Sequence, residues 1–312
     1  MCGIFGWDLT DISVSPVARG ILATTLARLN DERGGHSWGL VGADAAGALT
    51  IQRGLGHLYP RSAELAAHAL AYGHTRYATI GDKSVANAHP FEAGHIVGAH
   101  NGIIDNHAEM NAAHGRACAV DSQHLFRHLA EGKPFDDLRG YGAIEWVDRR
   151  YPGRVYLSRM SGGELSIVGV GTGPDDVHGI VWTSDSDHME EACAVAGLRT
   201  FDYAVETGAV YFAEGGKLYI QRDLRCDLAP RFSTRDWRDR GVWDDEERLF
   251  PKGQAGAGAG ASGARTDASV LLHPEEHDEE WTAWAEMIER MRARDDDDRD
   301  IPDPRTWRLG SA

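Results

Sequence analysis

The second residue of the chain is a cysteine, directly after the initiator methionine. Loss of that one methionine would leave Cys2 as the N-terminus, with a thiol and a free α-amine on the same residue. A free α-amine titrates near ~7.7–8.0 and a thiol near ~8.5, so around neutral pH part of the amine is unprotonated. It can take the thiol proton, directly or through water, and so release a nucleophile. Attack on an amide carbonyl would follow, and the resulting ammonium could protonate departing ammonia. The other cysteines, Cys118, Cys193 and Cys226, are scattered and form no C-x-x-C pair. Neither a zinc site nor a dense disulfide framework is expected from them. The histidines, among them His95, His100, His107 and His124, lack metal-ligand spacing, so no metal and no cofactor are expected. Asn101–Gly102 follows an apolar run, Ile96–His100, and on its own reads as a sharp hairpin turn.

Cys2 is the first residue of CGIFG, residues 2–6, and further strings follow in order. They are RGGHSWGL at 33–40, GHTRYATIG at 73–81 with NAHPF at 87–91, HNGIIDN at 100–106 and DSQHL at 121–125. Together they resemble the glutaminase domain of class II glutamine amidotransferases, which are N-terminal-nucleophile hydrolases. The likeness is to the glutaminase halves of glucosamine-6-phosphate synthase and amidophosphoribosyltransferase, and it covers about residues 2–222. The fold it implies is α+β, a four-layer αββα sandwich of two antiparallel sheets. The activity it implies is hydrolysis of L-glutamine to glutamate and ammonia through a thioester on Cys2.

The resemblance also implies roles for individual residues. Asn101, by its side-chain amide, and Gly102, by its backbone N–H, would form the oxyanion hole. Arg76 would grip the α-carboxylate of glutamine, where a planar fork binds bidentately. Asp121 would receive the α-ammonium, completing a clamp for a free amino acid. Tyr77 and Thr79 would line the pocket, while Arg33 and His89 would support it. Three positions depart from the usual pattern: His36 stands where relatives carry Asp, Tyr77 replaces a common Trp, and Ile80 replaces a polar residue. The first bears on a supporting hydrogen-bond network, the other two on glutamine affinity.

These residues need elements to hold them. Short apolar or alternating runs predict strands at Gly3–Trp7, Trp38–Ala43, Ala48–Arg53, Ile96–His100, Val155–Ser158, Leu165–Val170, Gly179–Thr183, Val210–Ala213 and Lys217–Gln221. Helical patterns fall at Pro16–Leu29, Ser62–Ala71, His107–His114, Ser122–Ala130 and Asp187–Ala196. Ser15–Pro16 is a good helix start. Irregular alternation and short turn-rich links suggest largely antiparallel sheets in a mixed α/β body.

The 312 residues are 42% hydrophobic, enough to fill a core, so a wholly disordered chain is excluded. The net charge of −16 disfavours non-specific nucleic-acid binding. No apolar run reaches the ~18–20 residues of a membrane span, and the N-terminus lacks a signal peptide's basic start. No membrane partner and a cytoplasmic location are therefore expected. Residues 2–222 read as one glutaminase domain, 223–252 as a charged extension with Trp237 and Trp243, and 253–264 as a Gly/Ala linker. Residues 265–312 form an acidic tail in which Trp281, Trp284, Met287, Ile288 and Met291 fall on one helical stripe. That stripe is expected to dock on the protein's own body, on a second copy in a homo-oligomer, or on a partner.

Residues 223–312 carry 22 acidic and 14 basic side chains and no phosphate loop or G-x-G-x-x-G string. The leading expectation is thus a glutaminase that hands ammonia to a separate synthetase. A second reading is an N-terminal-nucleophile amidohydrolase acting on another γ-glutamyl amide without transfer. A third is a binding module that keeps only the fold; the Cys2 and Asn101–Gly102 set argues against it.

Overall fold

The computed structural model describes residues 2–11 and 13–228. The tail helix, the linker and nearly all of the charged extension lie outside these residues. In chain order the elements are β1 (Gly3–Asp8), α1 (Pro16–Asp31), β2 (Ser37–Ala43), β3 (Leu49–Leu55), α2 (Ser62–Ala66), β4 (Leu70–Arg76), β5 (Phe91–Ala93) and β6 (Ile96–Ile104). They continue with α3 (His107–Ala113), α4 (Gln123–Glu131), β7 (Gly140–Asp148), β8 (Arg154–Arg159), β9 (Ser166–Gly173), β10 (Asp176–Thr183), α5 (Ser186–Val195), β11 (Thr200–Asp202), β12 (Ala209–Glu214) and β13 (Lys217–Arg225).

The strands form two sheets, ordered β11-β9-β10-β1-β4-β2-β3 and β13-β12-β8-β7-β6-β5. Every pairing is antiparallel. Ile4, Val41, Tyr72 and Trp182 of the first sheet pack against Val97, Ala99, Ala143, Leu157 and Tyr211 of the second, forming the inter-sheet core. On the outer side of the second sheet, Met110, Leu125 and Phe126 of α3 and α4 meet Ile144, Trp146 and Tyr156. Helices α1, α2 and α5 pack together beside the first sheet, α1 contacting β1 and β4, and α5 contacting β10. The layers are αββα, as the resemblance implied. Among the described residues no helix is long and apolar enough to cross a membrane.

Local chemistry fixes the ends that matter. The Ser15 side chain accepts from the Ala18 N–H at 3.1 Å and Pro16 opens α1, the capping expected from sequence. Gly6 is required by contact: a Cβ there would lie 2.4 Å from the Trp182 ring and 2.6 Å from the Ala71 carbonyl. The central strand thereby approaches the inter-sheet Trp182 closely.

Several expectations need correction. The helix expected over Ser62–Ala71 ends at Ala66, and Leu70 and Ala71 begin β4 instead. Ala71 pairs with Trp7 on one side and Gly42 on the other, so ladder bonds and burial override an Ala/Leu-rich local preference. The sequence reading also missed β5, β7 and β11. Asn101–Gly102 is not a turn: β6 runs on to Ile104, with Asn101 opposite Ala143 and Gly102 opposite Gly142. The last strand continues past residue 222, and Cys226 and Leu228 are buried in the same core.

A carboxyl group is buried against the inter-sheet core. Glu145 on β7 is fully buried and accepts the Trp182 indole N–H at 2.7 Å. Burial holds its carboxyl well above the usual range. Above the unfolded value, near ~4.3, folding must therefore take up a proton. The stability linked to this group is complete below that value and is lost as pH rises toward the folded one. Glu145→Gln removes the dependence. Its unfolding free energy should gain on wild type from pH 5 to pH 8, by up to about 1.4 kcal/mol per pH unit within that window. A difference independent of pH would show instead that Glu145 is ionised in the folded protein.

Candidate active site

Cys2 lies at the head of β1, where Gly3 pairs with Thr75 and Ile4 with His74 of β4. This register brings the end of β4 alongside the nucleophile. The Tyr77 N–H points at the Cys2 Sγ at 3.3 Å, and the sulfur lies 3.6 Å from the Tyr77 carbonyl oxygen. Burial pushes the Cys2 thiol up, with the Tyr77 N–H pulling in the opposite direction. The thiol is therefore protonated at neutral pH, and any nucleophilic role demands a base.

Arg33 fixes the backbone behind the sulfur. Its Nε donates to the Cys2 carbonyl at 3.2 Å and its Nη1 to the Ser184 carbonyl at 3.3 Å. The same Nη1 pairs with the Asp185 carboxylate. Asp185 is also the N-cap of α5, accepting from the Asp187 and His188 N–H groups. One carboxylate thus closes a helix start and orients the arginine that holds the nucleophile's carbonyl.

Arg76, the last residue of β4, is only 3% exposed. Its Nη2 donates to the Ile80 carbonyl at 2.6 Å and its Nη1 to the Asp82 carbonyl at 3.1 Å. Burial pulls its pKa down, while negative charge on Cys2 or Asp121 acts to raise it, which places all three residues in one electrostatic neighbourhood. Asp121, buried just before α4, accepts the Ile104 N–H on Oδ2 at 2.7 Å. Ile80 serves Arg76 through its backbone oxygen, which any residue supplies.

The His36 departure is likewise accommodated. Its Nδ1 accepts the Ala78 N–H at 2.9 Å, and its ring stacks on Tyr77 with centroids 4.5 Å apart. Tyr77 is otherwise exposed, and Thr79 is exposed on the same loop.

Under the site lies a layer of buried histidines. His74 Nε2 bonds the His100 carbonyl at 3.2 Å, tying β4 to β6 immediately before Asn101. His100 in turn contacts Ser122 Oγ at 2.9 Å, and the His89 ring packs tilted by 40° against His74, with centroids 4.0 Å apart. Burial keeps these rings neutral, pulling His74 to about 3 and lowering His89 and His100 as well. Gly102 has no room for a side chain. A Cβ there would lie 2.0 Å from the Tyr141 carbonyl oxygen and 2.5 Å from His100 Nε2.

The structure therefore brings Cys2, Arg33, Arg76, Tyr77 and Asp121 together and places His89 in the supporting histidine layer. Sequence reasoning missed Ser184, Asp185, His74 and the carbonyls of Ile80 and Asp82. Only Asp185 carried a local signal, as an acidic residue just before a helical pattern.

One group of described residues could hold a cation by position: the side chains of His114, His128 and Asp137 bring their ligand atoms within 4.8 Å of one another. Both histidine Nε2 atoms already bond Asp137, at 2.9 and 3.0 Å. Lys133 and Arg116 press on the two Nδ1 atoms at 3.2 and 3.0 Å. Two flanking cations oppose a third, and the group acts as a clasp between α3, α4 and the segment before β7.

No protein-family profile matches the sequence. Over 195 residues the chain is 37% identical to the glutamine–fructose-6-phosphate aminotransferase (isomerizing) of Salmonella typhi, a match spanning 55% of this chain and 30% of that one. The enzyme of the same name from Escherichia coli K12 is 35% identical over 195 residues, with the same shares. The chain thus spans 30% of the length of the curated relatives it matches. A solved structure described as the allosteric regulatory enzyme of purine biosynthesis superimposes with a TM-score of 0.50 at 20% identity, over 70% of this chain and 48% of that one. That likeness concerns the fold. In their ordered motifs and in these relatives the described residues are similar to the glutaminase domain of class II glutamine amidotransferases, and their two antiparallel sheets form the N-terminal-nucleophile hydrolase fold.

Proposed function

We propose that this domain hydrolyses L-glutamine to glutamate and ammonia, and that the ammonia passes to an acceptor enzyme, a synthetase separate from this domain. The observation that carries the reading is the neighbourhood of Cys2. A thiol receiving a backbone N–H sits beside a buried arginine and a buried carboxylate of opposite charge. Such a pair matches the two charged ends of a free α-amino acid and discriminates against a peptide.

In the proposed cycle the mature chain begins at Cys2 and its α-amine accepts the thiol proton. The sulfur attacks the side-chain amide carbon of glutamine, and the negative charge moves onto the amide oxygen. Asn101 and Gly102 supply hydrogen bonds to that oxyanion. The ammonium returns its proton as the C–N bond breaks, giving ammonia and a thioester on Cys2. Water, deprotonated by the same amine, then releases glutamate. No cofactor takes part. Ammonia release from glutamine, measured with and without the products of neighbouring genes, tests hydrolysis and transfer together.

The clamp is tested separately. Arg76→Ala or Asp121→Ala should raise the Michaelis constant for glutamine at least tenfold, because truncating one member of a desolvated charged contact costs on the order of 2–5 kcal/mol. Turnover at saturation should change much less. A fall confined to turnover would reassign both residues to the chemical step.

A further inference from the structure

His36 straddles the residue that touches the nucleophile. Its backbone N–H donates to the Arg76 carbonyl at 3.1 Å, and its Nδ1 accepts the Ala78 N–H at 2.9 Å. Tyr77 lies between these two bonds, its ring stacked on the imidazole and its N–H on the Cys2 sulfur. The chain then continues to Ile80 and Asp82, whose carbonyls hold the Arg76 guanidinium. One side chain therefore supports both the nucleophile's donor and the arginine's anchor.

We propose that His36 is a positioning residue that works only as the neutral imidazole, its Nδ1 lone pair latching the loop of residues 77–82, so that acidification releases the loop. The proposal rests on the glutaminase reading of the site. An imidazolium carries N–H on both nitrogens and cannot accept from Ala78. The charged groups facing His36 are Lys83, Arg76 and the chain's N-terminal amine, all cations, with Tyr77 across the stack and Cys2 beyond it. His57 lies over Gly35, next to Asp31 at 3.8 Å. Loss of water, then Lys83 and Arg76, lowers the pKa of His36, so the latch is closed at neutral pH. The aspartate usual at this position in relatives is also an acceptor, but stays one down to about pH 4. Histidine here converts a constant latch into one that opens in mild acid.

The test compares the full-length protein with His36→Asp and His36→Phe from pH 5 to pH 7.5. The N-terminal amine is coupled to His36, so its titration is measured in each of the three proteins and divided out before the ratios are taken. The ratio of kcat/KM for glutamine, wild type over His36→Asp, should fall at least fivefold as pH falls to 5. His36→Phe keeps a stacking ring but no acceptor, and should show a roughly five- to tenfold higher KM at pH 7.5, the scale of one hydrogen bond lost. A flat ratio, or a His36→Phe variant with wild-type KM, overturns the proposal. A second readout does not need glutamine: with 15N-labelled histidine and alanine, the Ala78 amide shift should titrate together with the His36 ring. If the wild type released no ammonia but these two signals titrated together, the glutaminase reading would fail and the latch would stand. An Ala78 amide indifferent to His36 ionisation would dispose of the latch.

Discussion

Cys2→Ala is expected to abolish ammonia release from glutamine while leaving the fold intact. The expected loss is at least about a thousandfold, since removal of a nucleophile from a unit of cooperating groups leaves only residual catalysis. The fold should survive because the side chain is small, stands at the open end of β1, and is positioned chiefly through its backbone carbonyl on Arg33. The control is a melting temperature close to wild type. An electrophilic glutamine analogue should label Cys2 alone. Cys193 and Cys226 are buried and their thiols are pushed up to about 12 and above, and burial raises Cys118 as well, so none offers a competing thiolate near neutral pH. Intact mass should show the chain beginning at Cys2. Retention of Met1 on most active molecules would remove the proposed base, because the Cys2 amine would then be locked in a peptide bond.

Asn101→Ala should act on turnover rather than binding. One oxyanion-hole donor is worth about 2.7–4 kcal/mol, which corresponds to a 10²–10³-fold fall in kcat. The Michaelis constant should move little, because the contact strengthens only as negative charge develops on the oxygen. Geometry favours a clean experiment. Asn101 lies within β6, paired with Ala143 of β7, so the backbone at this position is held by the ladder whatever the side chain. Gly102 is a poor choice for the same purpose, because a Cβ would strike the Tyr141 carbonyl and disturb the sheet. Equal losses in kcat and binding for Asn101→Ala would argue for a ground-state contact instead.

Much of this site was legible in the residue order. Cys2 beside an initiator methionine, the R-Y-A-T string carrying Arg76, and Asp121 before a helical pattern each combine a reactive type with a local setting. The αββα layers came from the family resemblance that these strings carry, and the strand pattern was compatible with them. Short apolar runs marked β1, β2 and β12, because a strand covered on both faces, as β1 and β2 are, buries every position.

What the residue order could not settle depends on distant partners. β4 looked helical at its start because Ala and Leu favour helix locally; its position between β1 and β2 decided otherwise. Asn101–Gly102 has the composition of a turn and became strand because β7 supplied partners, with Gly142 at φ +142° allowing the close approach opposite Gly102. The grip of Arg33 on Asp185 joins residues 152 positions apart, and His36 replaces a carboxylate by meeting an N–H 42 positions away. Local propensity and periodicity act over a few residues, so they fix which side chains are reactive and which faces are buried. Which donor meets which acceptor across the sandwich is set by sheet register and layer packing, and only the folded chain determines those.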